Sequence, residues 1–251
     1  MIVFNTDLDN TIIFSYKRDI GVNKRCVEIY EGREISFITE NTYGLLKQVK
    51  EKVLFVPTTT RTMEQYKRID LGIGVAKYAL VCNGGVLLID GVEDEEWYQE
   101  SLCLVKDCQE ELKKAEEILR IDDNRTFEVR NIRDLFIFTK SDEPEESVEE
   151  LKTRLDNSLV DIFSNGVKVY VVPKRLSKGI AIRRLREKVR ANYVLAAGDS
   201  EFDLSMIGEA DLFIAPKELE GVSKRQGNSL IVDGKRVFSE DLLDIVLDQT
   251  K

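Results

Sequence analysis

Three short apolar runs, at residues 2–6, 53–56 and 193–197, each stop abruptly at a polar loop. The loops read Asp7-Leu8-Asp9-Asn10-Thr11, Thr58-Thr59-Thr60-Arg61-Thr62 after Pro57, and Gly198-Asp199-Ser200-Glu201-Phe202-Asp203. Apolar runs this short, bounded by turn formers, predict buried strands. Helical stretches lie between them. One carries Leu45, Leu46 and Val49 behind a cap at Thr39 or Asn41, and another starts at Met63. A third, over 179–189, has Ile180, Ile182, Leu185 and Val189 on its apolar side. Residues 78–82 read as a further strand closed by Asn83-Gly84-Gly85, and 212–215 as another. Strand alternating with helix predicts an α/β core, a parallel sheet with helices on its faces.

Other stretches carry different patterns. Residues 25–39 alternate on either side of Glu31-Gly32-Arg33 and predict a hairpin. In the middle, Leu104, Cys108, Leu112, Ala115 and Leu119 fall at helical spacing. Residues 127–133 and 135–138 read as strands, and Pro144 opens a helix with Val148, Leu151, Leu155 and Leu159 on one face. Asn165-Gly166 predicts a tight hairpin turn between 161–163 and 167–172. Two helices and four strands over about 85 residues suit a small α+β domain interrupting the core. Asp233-Gly234 reads as a hairpin turn, and Ser239 with Glu240 and Asp241 opens a terminal helix.

Composition narrows the chemistry. The 251 residues are 43% hydrophobic, enough for a large core, and the net charge of −9 disfavours a nucleic-acid partner. There is no histidine, which excludes Ser-His-Asp and Cys-His mechanisms and zinc sites with imidazole ligands. Cys26, Cys82, Cys103 and Cys108 form no C-x-x-C pair and read as reduced thiols. No segment approaches the roughly 18 apolar residues of a membrane span. No basic leader follows Met1. The expectation is a cytoplasmic protein without a membrane or nucleic-acid partner; the oligomeric state is left open.

In a parallel sheet, ligands bind at the carboxyl ends of the strands. Three such ends carry Asp7, Asp9 and Thr11; Thr58, Thr59 and Thr60; and Asp199 and Asp203. Lys178 stands just before the helix at Gly179. Each has an ordinary reading alone: a solvated turn, a helix cap, a solvated lysine. Together they define one site. Carboxylates about 4 Å apart repel by about 4 kcal/mol per pair at an effective dielectric near 20. Gathering Asp7, Asp9, Asp199 and Asp203 therefore calls for protonation or a hard cation, and Mg²⁺ binds through a few carboxylates together with phosphate. Threonine hydroxyls would hold phosphate oxygens, and a lysine would neutralise developing charge.

Thr6-Asp7-Leu8-Asp9-Asn10-Thr11 resembles the first motif of the haloacid-dehalogenase superfamily of phosphohydrolases. Thr59-Thr60-Arg61, Lys178-Gly179 and residues 198–203 resemble the second, third and fourth motifs, in the order that family shows. Asn83-Gly84-Gly85 resembles the N-G-A of the Cof-like and sucrose-phosphate-phosphatase-like branches. Two positions depart from the pattern: Thr60 stands where a small residue is usual, and Phe202 where Asn is common.

The resemblance implies a Rossmann-like doubly wound core over 1–88 and 175–251, with an inserted α+β cap domain over 89–174. It implies that Asp7 is the nucleophile forming an aspartyl-phosphate and that Asp9 is the acid and then the base. Thr58 and Thr59 are the candidate phosphate binders, and Lys178 bridges phosphate and nucleophile. Mg²⁺ would be held by Asp7, the Asp9 carbonyl and Asp199, with Asp203 as a ligand or support. The expected activity is hydrolysis of a small phosphorylated metabolite, with a sugar phosphate favoured by analogy. A phosphomutase and a non-catalytic phospholigand-binding module are the alternatives. In the cap, Arg125, Arg130, Arg133 and Lys168 are candidates to meet substrate. Trp97 and Tyr98 either pack the cap or stack on a ligand, with packing favoured, and the 25–39 hairpin could serve as a flap.

Overall fold

The computed structural model describes residues 1–223 and 228–251, in two compact units, residues 1–94 with 177–251, and residues 95–176. The first unit begins with β1 (Ile2–Thr6), β2 (Phe14–Ser15), β3 (Lys24–Tyr30), β4 (Arg33–Thr39), α1 (Glu40–Lys52) and β5 (Leu54–Pro57). It continues through α2 (Met63–Tyr66), β6 (Tyr78–Val81), β7 (Val86–Ile89) and β8 (Val92–Glu93). The second unit holds α3 (Glu95–Leu104), α4 (Gln109–Arg120), β9 (Arg130–Ile132), β10 (Phe136–Lys140), α5 (Pro144–Arg154), β11 (Val160–Asn165) and β12 (Lys168–Pro173). The chain then returns to the first unit with α6 (Lys178–Val189), β13 (Tyr193–Ala197), α7 (Glu201–Leu204), β14 (Leu212–Pro216), α8 (Glu220–Ser223), β15 (Ser229–Val232) and α9 (Phe238–Asp248).

The first unit is built on a parallel sheet in the order β15-β14-β13-β1-β5, the parallel α/β arrangement that the alternation predicts and the doubly wound core that the resemblance implies. Neighbouring residues of these strands are buried on both faces: Val3 and Phe4, Val194 and Leu195, Phe213 and Ile214. Sheets covered on both faces read as continuous apolar runs, which is the pattern the sequence shows. One face packs Phe4, Phe55, Leu195 and Ile214 with Leu46 and Val49 of α1 and Leu242, Leu243 and Val246 of α9. Thr39 caps α1 by accepting from the Thr42 amide at 2.9 Å. Because β5 lies on one side of β1 and β13 on the other, the winding reverses at β1, and the loop after it opens into the switch-point crevice.

Three local expectations are corrected. The 78–82 run does not join the parallel sheet as a full strand. β6 pairs antiparallel with β7, as Val81 with Val86, and reaches the extension of β5 through one parallel bridge, Thr58 with Leu80. Asp233-Gly234 does not turn a hairpin: β15 pairs with β14, and the turn leads directly into α9. The apolar spacing over 104–119 is shared by α3 and α4, with a 3₁₀ turn at Lys106–Cys108 parting them. The hairpin over 25–39 forms as β3 and β4, turning at Glu31 (φ 50°) and Gly32 (φ 75°).

The second unit is an antiparallel sheet in the order β11-β12-β10-β9. Ile137, Ile162, Val169 and Val171 meet Leu112, Ala115 and Leu119 of α4 and Val148 and Leu151 of α5. On the alternate residues Phe138, Tyr170 and Phe163 form a row, with ring centres 5.2 and 5.6 Å apart. No helix among the described residues is long and apolar enough to cross a membrane.

Candidate active site

Asp7 follows the last residue of β1, and its amide extends the ladder by donating to the Ala197 carbonyl at 2.9 Å. The next residues fold back at once. The Leu8 carbonyl accepts from the amides of Thr11, Ile12 and Ile13, and the side chains of Leu8, Ile12 and Ile13 are buried. The apolar residues of this loop thus anchor it to the core and leave its polar residues to the crevice. The Thr11 hydroxyl lies 3.1 Å from Asp199 Oδ1 and 3.5 Å from Asp7 Oδ2, so its single proton serves the Asp199 carboxylate first.

Lys178 is the first residue of α6, whose cap is the Ser177 hydroxyl accepting from the Ile180 amide at 3.2 Å. Its ammonium, 1% exposed, donates to Asp7 Oδ1 at 2.5 Å and to Asp203 Oδ1 at 2.6 Å. Burial alone would favour the neutral amine, but Asp203 and Asp7 outweigh it and hold the lysine charged. One ammonium cannot neutralise every carboxylate here. Burial, reinforced by Asp203, Asp9 and Asp199, raises the Asp7 carboxyl well above its ordinary value despite Lys178. Burial and Asp203 push Asp199 up to about 6. One oxygen each from Asp7, Asp199 and Asp203 lies within 4.8 Å of the others. Their excess negative charge and all-oxygen chemistry suit a hard divalent cation.

Asp203 also organises its own loop. Oδ2 accepts from the Asp199 amide at 3.1 Å, the Ser200 amide at 3.0 Å and the Ser200 hydroxyl at 2.8 Å. At Gly198 a β-carbon would stand 2.1 Å from the Asp203 carboxyl carbon. At Gly179 it would stand 2.0 Å from the Ser205 carbonyl, so glycine is what brings the start of α6 against the end of α7.

The loop after β5 contributes differently. The Thr58 hydroxyl is turned into the sheet, toward the Val56 carbonyl at 3.3 Å and Asn5 Oδ1 at 3.4 Å. Thr59 is also fully buried, and its hydroxyl accepts from the Arg61 amide at 3.2 Å. The Asn83 amide donates to the Thr59 carbonyl at 3.0 Å and the Cys82 amide to the Arg61 carbonyl at 2.8 Å. Cys82, Asn83 and Gly84 all have positive φ, and Gly84 lies where a β-carbon would meet the Ala181 side chain of α6 at 2.3 Å. The Asn83-Gly84-Gly85 segment therefore fastens the threonine loop and α6 together.

Asp9 stands apart from the carboxylate cluster. Its two oxygens accept from Arg61 Nε and Nη2, each at 2.7 Å. Arg61 Nη1 donates to Glu28 Oε1 at 2.8 Å, and Glu28 also accepts from Arg68 at 3.1 Å and from the Ser36 hydroxyl at 2.6 Å. Thus the structure joins Asp7, Thr11, Lys178, Asp199 and Asp203 directly, and links Asp9 to Arg61 and Glu28. Sequence reasoning named Arg61 only within its motif and missed Glu28. A charged residue flanked by Val27 and Ile29 in a strand was the available signal, but simple alternation turns it to solvent.

Within the second unit, Arg125 donates to the Phe127 carbonyl at 2.9 Å. Arg130 lies over the Phe127 ring and pairs with Glu128, and Arg133 lies 4.0 Å from the centre of the Tyr98 ring. Lys168 is exposed, whereas Trp97 is 3% exposed and packs.

A family model described as haloacid dehalogenase-like hydrolase matches residues 89–218. No curated protein matches the sequence. Among solved structures, the chain is similar to the sucrose-phosphatase of Synechocystis sp. PCC6803, in complex with sucrose and phosphate. The TM-score is 0.63 at 12% identity, covering 99% of this chain and 97% of that one. It is similar also to trehalose-6-phosphate phosphatase of Aspergillus fumigatus, with TM-score 0.55, 13% identity, and 99% and 92% coverage. A haloacid dehalogenase-like hydrolase from Bacteroides thetaiotaomicron gives 0.56 at 15% identity, with 97% and 98% coverage. At these identities the likeness is one of fold.

Proposed function

Because the chain belongs to the haloacid dehalogenase-like hydrolases, we propose that it is a phosphatase that hydrolyses a small phosphorylated metabolite, a sugar phosphate first among the candidates. The observation that carries this reading is the buried Lys178 ammonium joining Asp7 to Asp203 beside Asp199 at the carboxyl ends of β1 and β13. Burying carboxylates in this way costs stability, which a bound cation offsets.

In this reading an Asp7 oxygen attacks phosphorus, forming the aspartyl-phosphate while the bond from phosphorus to the ester oxygen breaks. The departing oxygen takes its proton from Asp9, one oxygen of which leaves the Arg61 fork to carry it. Water then gives a proton to the Asp9 carboxylate and attacks phosphorus, the bond to Asp7 breaks, and phosphate leaves. The sum is ester plus water to alcohol plus phosphate, with Asp9 restored. Lys178 holds the attacking carboxylate and balances the incoming phosphate charge. Asp7, the Asp9 carbonyl and Asp199 would hold Mg²⁺, which supplies charge neutralisation to the phosphoryl group when bound. Both oxygens of Asp203 are engaged by Lys178 and by its own loop, which favours a supporting part. Thr59 and Thr58 are assigned to the phosphate through the loop they shape. Choice of substrate is assigned to the inserted unit, and the setting to the cytoplasm.

The test is release of phosphate from p-nitrophenyl phosphate with Mg²⁺ and with chelator, followed by a panel of sugar phosphates. Wild type should turn over only with the metal, and Asp7→Asn should fold and be inactive. Full activity in a folded Asp7→Asn protein would refute the reading.

A further inference from the structure

Glu28 lies on β3, in the hairpin rather than at any strand end of the parallel sheet. Strict alternation would place Val27 and Ile29 on one side and Glu28 on the other. The register instead shifts between Cys26 and Glu28 and again between Glu28 and Ile29. As a result Val27 and Glu28 are both buried, at 4% and 1% exposure, while Ile29 is 58% exposed. Bulges of this kind re-aim side chains, and here the one re-aimed inward is a carboxylate.

A hairpin that needed only a stable core would be served at least as well by an apolar residue, since a buried ion pair is weak evidence for stability. What Glu28 does have is a grip on Arg61. A guanidinium is a rigid plane, so fixing Nη1 fixes the direction of the opposite edge. That edge, Nε and Nη2, meets both oxygens of Asp9. The Asp9 side chain is 49% exposed, so packing alone does not lock its rotamer. Arg68 and Ser36 hold Glu28 in turn, and two guanidinium groups balance the two carboxylates of the chain Asp9, Arg61, Glu28, Arg68.

We propose that Glu28 is a positioning residue which, through Arg61, sets the direction of the Asp9 carboxyl group; this rests on the phosphatase reading, in which Asp9 carries the proton. The bulged hairpin strand is then part of the catalytic apparatus without touching substrate.

A purely structural role lowers the amount of working enzyme and depresses every substrate by the same factor. A role in aligning the proton donor depends on the leaving group. Nitrophenolate departs with little help, whereas the more basic phenolate needs the proton. The experiment measures kcat and KM with Mg²⁺ for p-nitrophenyl phosphate and phenyl phosphate, two esters of nearly the same shape. Glu28→Gln should lower kcat/KM for phenyl phosphate by about ten-fold more than for p-nitrophenyl phosphate, acting mainly on kcat. Equal loss on both esters, or no loss, overturns the proposal. Circular dichroism checks the fold. If Glu28→Gln does not fold, Arg61→Lys, which keeps the charge and loses the fork, should show the same selective loss, and uniform loss overturns the proposal. A wild type inactive on both esters, or an active Asp7→Asn variant, brings down the phosphatase reading and the proposal with it. Asp7-dependent turnover that is indifferent to Glu28 brings down the proposal alone.

Discussion

Gly198 and Asp203 approach so closely that the glycine has no room for a side chain, its β-carbon position lying 2.1 Å from the Asp203 carboxyl carbon. The carboxylate that this contact admits also receives the Asp199 amide and Lys178. Gly198→Ala should therefore do two things at once. Overpacking should cost about 1–3 kcal/mol in urea denaturation. Displacing Asp203 should also cut phosphatase turnover by at least about ten-fold, because both Lys178 and Asp199 lose their fixed partner. Full activity in the Gly198→Ala variant would mean that the loop tolerates another path.

Lys178→Met leaves Asp7 and Asp203 buried without their common cation. Removing one partner of a buried ion pair typically costs about 3–5 kcal/mol. Denaturation at neutral pH should show a loss of that order, with turnover abolished. Unchanged stability would mean that water reaches the cluster.

The carboxylate cluster gives a reading independent of turnover. A cation that binds only the folded chain adds about 2.7 kcal/mol at one hundred times its dissociation constant. The thermal midpoint should accordingly rise with Mg²⁺ over chelator in wild type, and most of that rise should vanish in Asp199→Asn. A midpoint indifferent to Mg²⁺ in wild type would remove the cluster as a cation site.

Glu28 has its own pH signature. Burial raises its pKa, but hydrogen bonds from Arg61 and Ser36, with Arg68, bring it below the ordinary 4.5. A carboxyl group lowered by folding contributes stability above its unfolded pKa and loses it as pH falls through the folded value. Glu28→Gln should thus cost about 3 kcal/mol at pH 7. The gap between variant and wild type should narrow as pH falls below about 4.5, where the unfolded carboxyl takes up its proton first, and close as the pH passes the lower value of the folded one. Urea titrations at pH 7, 5 and 3.5 measure this, and a gap constant with pH would show that the charge of Glu28 contributes nothing.

The strands carrying Asp7 and Asp199 were legible because each is buried on both faces and so writes an unbroken apolar run. Lys178 was legible because it stands beside the helix start at Gly179, and the structure makes it the first residue of that helix, capped by Ser177. Other features depended on partners that the local pattern does not encode. The 78–82 run is as apolar as its neighbours, and its pairing with β7 instead of the parallel sheet follows from the tight Cys82–Gly84 turn after it. Asp233-Gly234 is a good turn in either case, and α9 follows because its apolar face packs against α1. Glu28 was hidden by a bulge, which changes facing without changing composition. The threonines were legible as a loop, whereas the inward turn of the Thr58 hydroxyl depends on Asn5, 53 residues away.

The contacts that define the crevice span most of the polypeptide: Asp7 meets a lysine 171 residues downstream, and Thr11 meets an aspartate 188 residues downstream. A nascent chain on the ribosome accordingly pairs Asp9 with Arg61 early, but leaves Asp7 without its lysine until synthesis has passed residue 178 and Thr11 without its aspartate until it has passed residue 199. A fragment that stops short of residue 178 therefore lacks the lysine and the second pair of aspartates together.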